Sequence, residues 1–277
     1  MTRERSVTVN IDTIKKASAA FLKTDGSNFI KETDAMRPVC AGMRILDEPA
    51  FAVGAADNPL FLSPAPDGKP AGQDAAPAFW LEGAKSVISV ALPFMQEIKD
   101  ANTVNLTRPS AEWLNGVTEG MDALAALLEH ICALLKDEGY NAVSPFVSGG
   151  SDSGWRERYV GYVCGLGTFG ASQGLITEKG IAVLTGSIIT DCPLPVTEAK
   201  YDDAYGYCLK CGKCARNCPV GAIDLSRGCA DALDLAVCGA YIEKMGRSAP
   251  KSASGRAHLG CGKCQVAVPC ASRKPEM

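Results

Sequence analysis

Histidine is scarce in this sequence, two residues in 277, and that scarcity excludes a metal site built from several imidazoles. No window approaches the ~20 apolar residues that a membrane span needs. The opening stretch, MTRERSVTVNIDTIKK, carries charges where an export signal requires an apolar run, which predicts a cytoplasmic protein. Basic charge is not in excess either: 28 Lys and Arg stand against 31 Asp and Glu, a net charge of −3 with a pI near 5.5. Lacking a basic field to hold a phosphate backbone, the chain is not expected to take nucleic acid as its main partner. What remains, 47% hydrophobic and 21% charged residues, is the composition of a globular chain long enough for a sizeable core.

Cysteine, in contrast, is abundant. Nine of the 13 fall in the last 70 residues, at 208, 211, 214, 218, 229, 238, 261, 264 and 270. Without an export signal, metal ligation explains them better than disulfides do. This composition shift predicts two units, an α+β domain over 1–200 and a cysteine-rich module over 201–277.

Within the first unit, residues 10–23 place Ile11, Ile14, Phe21 and Leu22 on one side of a helix with Asp12 as its cap and Ser18 as a small polar residue in the stripe. Residues 24–78 are rich in Pro, Gly, Asp and Ala and read as a long loop lying over a site. SVISVALPF (86–94) is apolar and β-branched, as a buried strand would be. Ser110 opens a long amphipathic helix that closes at Gly139. NAVSPFV reads as a short strand and WRERYVGYVCG as a helix. GLITEKGIAVLTGSIITD alternates about Glu178-Lys179-Gly180 as a hairpin would. Helices beside hairpin-linked strands define an α+β class.

The sharpest motif is Cys208, Cys211, Cys214 and Cys218 followed by Pro219, the C-x2-C-x2-C-x3-C-P run of bacterial ferredoxins. In that run three thiolates hold one [4Fe-4S] cluster and the fourth reaches a second. Two-residue gaps aim successive sulfurs at different irons of one cubane, and the longer gap sends the fourth away. Cys261, Cys264 and Cys270 supply a second group, in which the position for a third evenly spaced cysteine is Ala267. Eight thiolates serve two cubanes: Cys208, Cys211, Cys214 and Cys270 for one, and Cys218, Cys261 and Cys264 for the other, completed by either Cys229 or Cys238. A structural zinc site is the competing reading, since CGKC occurs twice, but it leaves many cysteines idle. Cys40, Cys132, Cys164 and Cys192 lie on apolar segments and read as small buried hydrophobes.

Two weaker signals remain. Gly165, Gly167 and Gly170 spell G-x-G-x-x-G, but a helix-like segment precedes them where a dinucleotide fingerprint needs a strand. They read as a helix end with a glycine-permitted turn that lets backbone approach a flat cofactor. In VSGGSDSGWRER (147–158), Asp152 is either an N-cap or a proton donor to a substrate reduced nearby. His130 and His258 carry no motif.

Taken together, LEGAKSVISVALPF, WRERYVGYVCGLGTFGASQGLITEKGIAVLTGSIITD, YCLKCGKCARNCPVGAI and CGKCQVAVPC resemble the epoxyqueuosine reductase-related family of double-cluster iron-sulfur proteins. The resemblance implies a cobalamin-binding, nitroreductase-like α+β domain followed by a ferredoxin-like module with two [4Fe-4S] clusters. It implies electrons passing through the clusters to a corrinoid; apart from the resemblance, a flavin is the alternative cofactor. It also implies Cys238 as the isolated cluster ligand and a proton-donating Asp near Asp152, although the Pro-Val-Leu-Glu that follows that Asp in the family is missing here. The chain ends seven residues after Cys270, where the resemblance implies a further helical-repeat domain, so the expected substrate is a small molecule other than tRNA. An electron-donor protein or small reductant is the expected partner. The alternative function is a non-catalytic electron carrier or reductive activator that docks on another redox protein.

Overall fold

A computed structural model gives the fold and describes residues 9–66, 68, 72–149, 154–249, 251–252 and 255–276. Six strands, β1 (Ala50–Ala55), β2 (Ser86–Pro93), β3 (Ala142–Val143), β4 (Gly167–Phe169), β5 (Leu175–Thr177) and β6 (Val183–Thr190), form two sheets. The helices are α1 (Ile11–Thr24), α2 (Pro77–Trp80), α3 (Gln96–Ala101), α4 (Ala111–Asp137), α5 (Pro145–Ser148), α6 (Glu157–Val163), α7 (Lys213–Asn217), α8 (Gly228–Asp231) and α9 (Leu235–Ser248). The main sheet is antiparallel in the order β1-β2-β6-β3, and β4 pairs with β5 in a separate ribbon.

Strand β2 reads as an unbroken apolar run because both faces of the sheet are covered. Ile88, Val90 and Leu92 enter one core with α1 and α4, while Val87 and Ala91 enter another with α6. Helix α4 starts where Ser110 accepts from the Trp113 amide, and it buries Leu124, Leu127, Leu128 and Ile131 against β6 and its neighbours. Each such side chain contributes roughly 1.5–3 kcal/mol by leaving water.

Four local expectations are corrected. Asn10, not Asp12, caps α1, because its side chain accepts from the Thr13 amide and leaves Asp12 in the first turn. Within 24–78, Ala50–Ala55 is a strand that pairs along β2; its small residues give little apolar signal, and Gly54 is needed because a Cβ there would meet the Cys164 Sγ at 2.9 Å. After Val143 the backbone turns into α5, since Pro145 lacks the N–H that a continuing strand would use. The turn at 177–180 exists, with Thr177 bridging Gly180, but β5 and β6 part into different sheets. The C-terminal segment separates them: Ile181 donates its amide to the Cys270 carbonyl at 2.8 Å, and Ala271 lies against Gly180.

The cysteine-rich segment is therefore stitched into the sheet domain across the boundary expected at residue 200. Val266 belongs to the main core. Gly262 packs so closely on Trp113 that a Cβ would overlap the indole. His258 is fully buried, with Nε2 3.3 Å from Glu119 Oε1 and 3.2 Å from Asn115 Nδ2. Among the described residues no helix is long and apolar enough to cross a membrane.

Candidate functional site

Both CGKC tetrapeptides fold alike. Gly212 (φ 70°) and Gly262 (φ 67°) adopt the left-handed conformation that glycine permits, which turns the chain between two cysteines. In the first loop this brings Cys208, Cys211 and Cys214 together, and Cys270 joins them from the far end of the chain. These four sulfurs line a cavity with Tyr207 and Val268, and Cys264 of the second group reaches its wall. Cys211 is exposed, whereas the other twelve cysteines are buried or half-buried.

Cys218 leaves this group, accepting the Ala222 amide at 3.2 Å. It faces Cys238, Cys261 and Cys264 across a second cavity of about 1120 Å³. Asp234 caps α9 by accepting from the Val237 amide and so presents Cys238 in the first helical turn. Cys229, by contrast, lies against Cys208 in the first group. Burial pushes the thiols of Cys264 and Cys270 up to about 12, and the neighbouring sulfurs push the same way. Thiols packed together and hard to ionise alone suit a set whose negative charge an iron-sulfur cluster would neutralise, since the thiolate is the ligating form. Among the described residues no three His, Cys, Asp or Glu side chains converge as a single metal ion requires.

Beside the second group opens a cleft of about 1430 Å³, walled by Tyr159, Phe169, Leu184 and Leu235 and edged by Arg156 and Arg227. Arg158 lines both this cleft and the second sulfur cavity, and it feels the charge of Cys264 and Cys238. Glu157, next to it, has two enclosed carboxyl oxygens without a hydrogen-bond partner. Burial pushes its pKa up to about 8, and the nearby Ser187 and Trp155 offset this only in part. From the sequence, WRERYVGYVCG reads only as a helix, with no role for either residue. The available signal was a charged Arg-Glu-Arg at the very start of an otherwise apolar helix.

Asp152 lies outside the described residues. Gly165 (φ 89°) follows the end of α6 as a turn residue. The close approaches at Gly165 and Gly167 are made by the chain's own Thr197 and Ile176 carbonyls, while Gly170 lines the first sulfur cavity. His130 stacks on Phe21 with ring centroids 4.6 Å apart, away from the sulfurs. Cys40, Cys132, Cys164 and Cys192 are buried, and desolvation drives the Cys132 thiol up to about 11.

No family model matches the chain. An epoxyqueuosine reductase of Bacillus anthracis is 28% identical over 209 residues, 70% of this chain, and the chain spans half the length of that relative. The epoxyqueuosine reductase structure from Bacillus subtilis superposes with a TM-score of 0.54 at 18% identity, covering 96% of this chain and 68% of that one. A catabolic reductive dehalogenase gives a TM-score of 0.54 at 17% identity, covering 82% of this chain and 30% of that one. The shared fold mixes helix and sheet, and the named relatives are redox enzymes. The chain is thus similar to epoxyqueuosine reductases, in sequence over 70% of its length and in fold over nearly all of it.

Proposed function

We propose that this protein is an iron-sulfur oxidoreductase that relays single electrons through two [4Fe-4S] clusters to a corrinoid in the adjoining cleft. Cys208, Cys211, Cys214 and Cys270 would hold the first cluster, and Cys218, Cys238, Cys261 and Cys264 the second. The carrying observation is the partition of the sulfurs: Cys218 departs from its own run to face Cys238, Cys261 and Cys264, which is the division that two-cluster ferredoxin runs make. Cys238 completes the second set in preference to Cys229, which neighbours Cys208.

The second sulfur cavity and the cleft share Arg158, Val183, Leu184, Leu233 and Leu235 as walls. A group bound in the cleft would therefore sit next to the second cluster. The apolar and aromatic walls suit a large flat macrocycle, and the guanidiniums at the edge suit its polar periphery. Bound there, a corrinoid would supply a low-potential, nucleophilic metal centre that no side chain provides. Arg158 would keep positive charge between cluster and cleft. Tyr159 and Phe169 would exclude water, and Glu157 would hold a proton on its enclosed carboxyl near neutral pH. The substrate would be a small molecule other than tRNA, and Asp152, on the segment just before α6, would donate a proton to it.

Anaerobic purification tests the reading. Brown protein with about eight irons, whose absorbance changes when hydroxocobalamin is added, is the expected result. Protein that carries zinc in place of iron ends the proposal. Clustered protein that ignores both cobalamin and flavin yet reduces another protein would instead make it an electron carrier.

A further inference from the structure

The face around the first sulfur group reverses the charge of the rest of the molecule. From Tyr207 to Gly221 the chain has three cations, Lys210, Lys213 and Arg216, and no carboxylate, in a protein whose net charge is −3. Lys210 and Arg216 are exposed, Lys213 is half-buried, and none of the three pairs with a carboxylate among the described residues. Lys213 and Arg216 line a surface groove of about 940 Å³ that also includes Cys218 and the loop after α3, with no acidic residue among its described walls. Two large apolar side chains of that loop stand free, Val104 at 85% and Leu106 at 80% exposure. Cys211, the exposed cysteine, sits between Lys210 and Lys213.

Three unpaired cations set beside a solvent-facing sulfur have a cost: they repel one another and must be kept hydrated. An external partner of opposite sign would offset that repulsion and gain steering at long range. A polynucleotide would need a longer basic track than three side chains, because each phosphate contact displaces a single counterion. The exposed Val104 and Leu106 also suit a protein surface better than a phosphate backbone.

We infer that this basic face, Lys210, Lys213 and Arg216 with the groove beside them, is the docking site for a small acidic electron-carrier protein, which delivers electrons to the cysteine run between Cys211 and Cys218. The inference rests on the two-cluster reading above. In each encounter the donor's reduced flavin or iron-sulfur centre would lose one electron and the cluster held by this run would gain it, with no bond made or broken and no proton moved.

Stopped-flow reduction of the anaerobic holoprotein by reduced flavodoxin, an acidic donor, tests it after iron has been measured. The second-order rate is expected to fall steeply as salt rises, and to drop by about tenfold or more in Lys213→Glu/Arg216→Glu. Reduction by the methyl viologen radical cation should not slow in the same variant. Should the variant lose iron, carbodiimide cross-linking of wild-type protein must join Lys210 or Lys213 to flavodoxin carboxylates. A rate indifferent to salt and to both substitutions, in protein with full clusters, overturns the docking face alone; absence of iron overturns both proposals. Salt-sensitive tRNA binding that the double substitution abolishes, with flavodoxin reduction unchanged, would reassign the groove to RNA.

Discussion

The two halves of the molecule are held by different physics. In the sheet domain all eight residues of β2 are buried and α4 buries 13 of its 27. In the cysteine segment α7 and α8 bury none, and α9 buries only Met245 of its 14 residues. The first half can fold on apolar area alone. The second has too little core for that; on the two-cluster proposal it would gain its order from the clusters and from a few anchors on the first. If the proposed clusters are present, such a segment could leave sulfurs near the surface, as at the exposed Cys211, because it would not rely on enclosing them in hydrocarbon.

Several experiments would sharpen or break that contrast. Stripping the metal should have the largest effect: residues 201–276 should lose hydrogen-exchange protection and become protease-sensitive while β2 and α4 remain protected. A tail that stays protected after complete iron removal would refute the contrast. Cys214→Ser should discard about half of the iron with little change in the sheet domain's unfolding, and unchanged iron would refute the ligand assignment. Leu127→Ala, a fully buried residue of α4, should cost about 2–5 kcal/mol in global denaturation with urea, leaving iron content per folded molecule unaltered. His258→Ala, which leaves the buried Glu119 and Asn115 short of a partner, should cost about 1–3 kcal/mol and selectively raise exchange around residues 255–262.

The last effect belongs to pH. Glu157 has a folded-state pKa of about 8 against 4.5 in an open chain. For a carboxyl raised in this way, stability is fully present below pH 4.5 and is lost as pH climbs through about 8. Glu157→Gln should flatten the melting temperature across that window and raise it at the alkaline end. A parallel pH profile in the variant would show that Glu157 ionises as freely folded as unfolded.

Much of this was legible beforehand, for identifiable reasons. SVISVALP announces a doubly covered strand because no polar residue larger than serine interrupts it. Ser110 and Gly139 bracket α4 because capping chemistry is local. The ferredoxin-type run is readable because cubane ligation constrains spacing within eleven residues. Other features were not. AFAVGA becomes a strand through pairing with β2, a partner more than thirty residues away. GLITEKGIAVL looks like a hairpin, and only Cys270 and Ala271, ninety residues on, pull its two arms apart. Glu157 and Arg158 come to line a cleft only because β6 and α8 supply its other walls, and Arg158 stays exposed.

By itself, then, the sequence determined the local vocabulary: the apolar strand, the capped helix, the two CGKC turns and the departure of Cys218 from its neighbours. Each depends on contacts within a few residues, where spacing and backbone conformation are read directly. The tertiary structure decided which sulfurs from distant segments meet, that Cys238 faces Cys218 while Cys229 joins Cys208, and that the second sulfur set adjoins a cleft. Those outcomes depend on where long-range burial brings separate segments together, and no spacing along the chain encodes a distance across it.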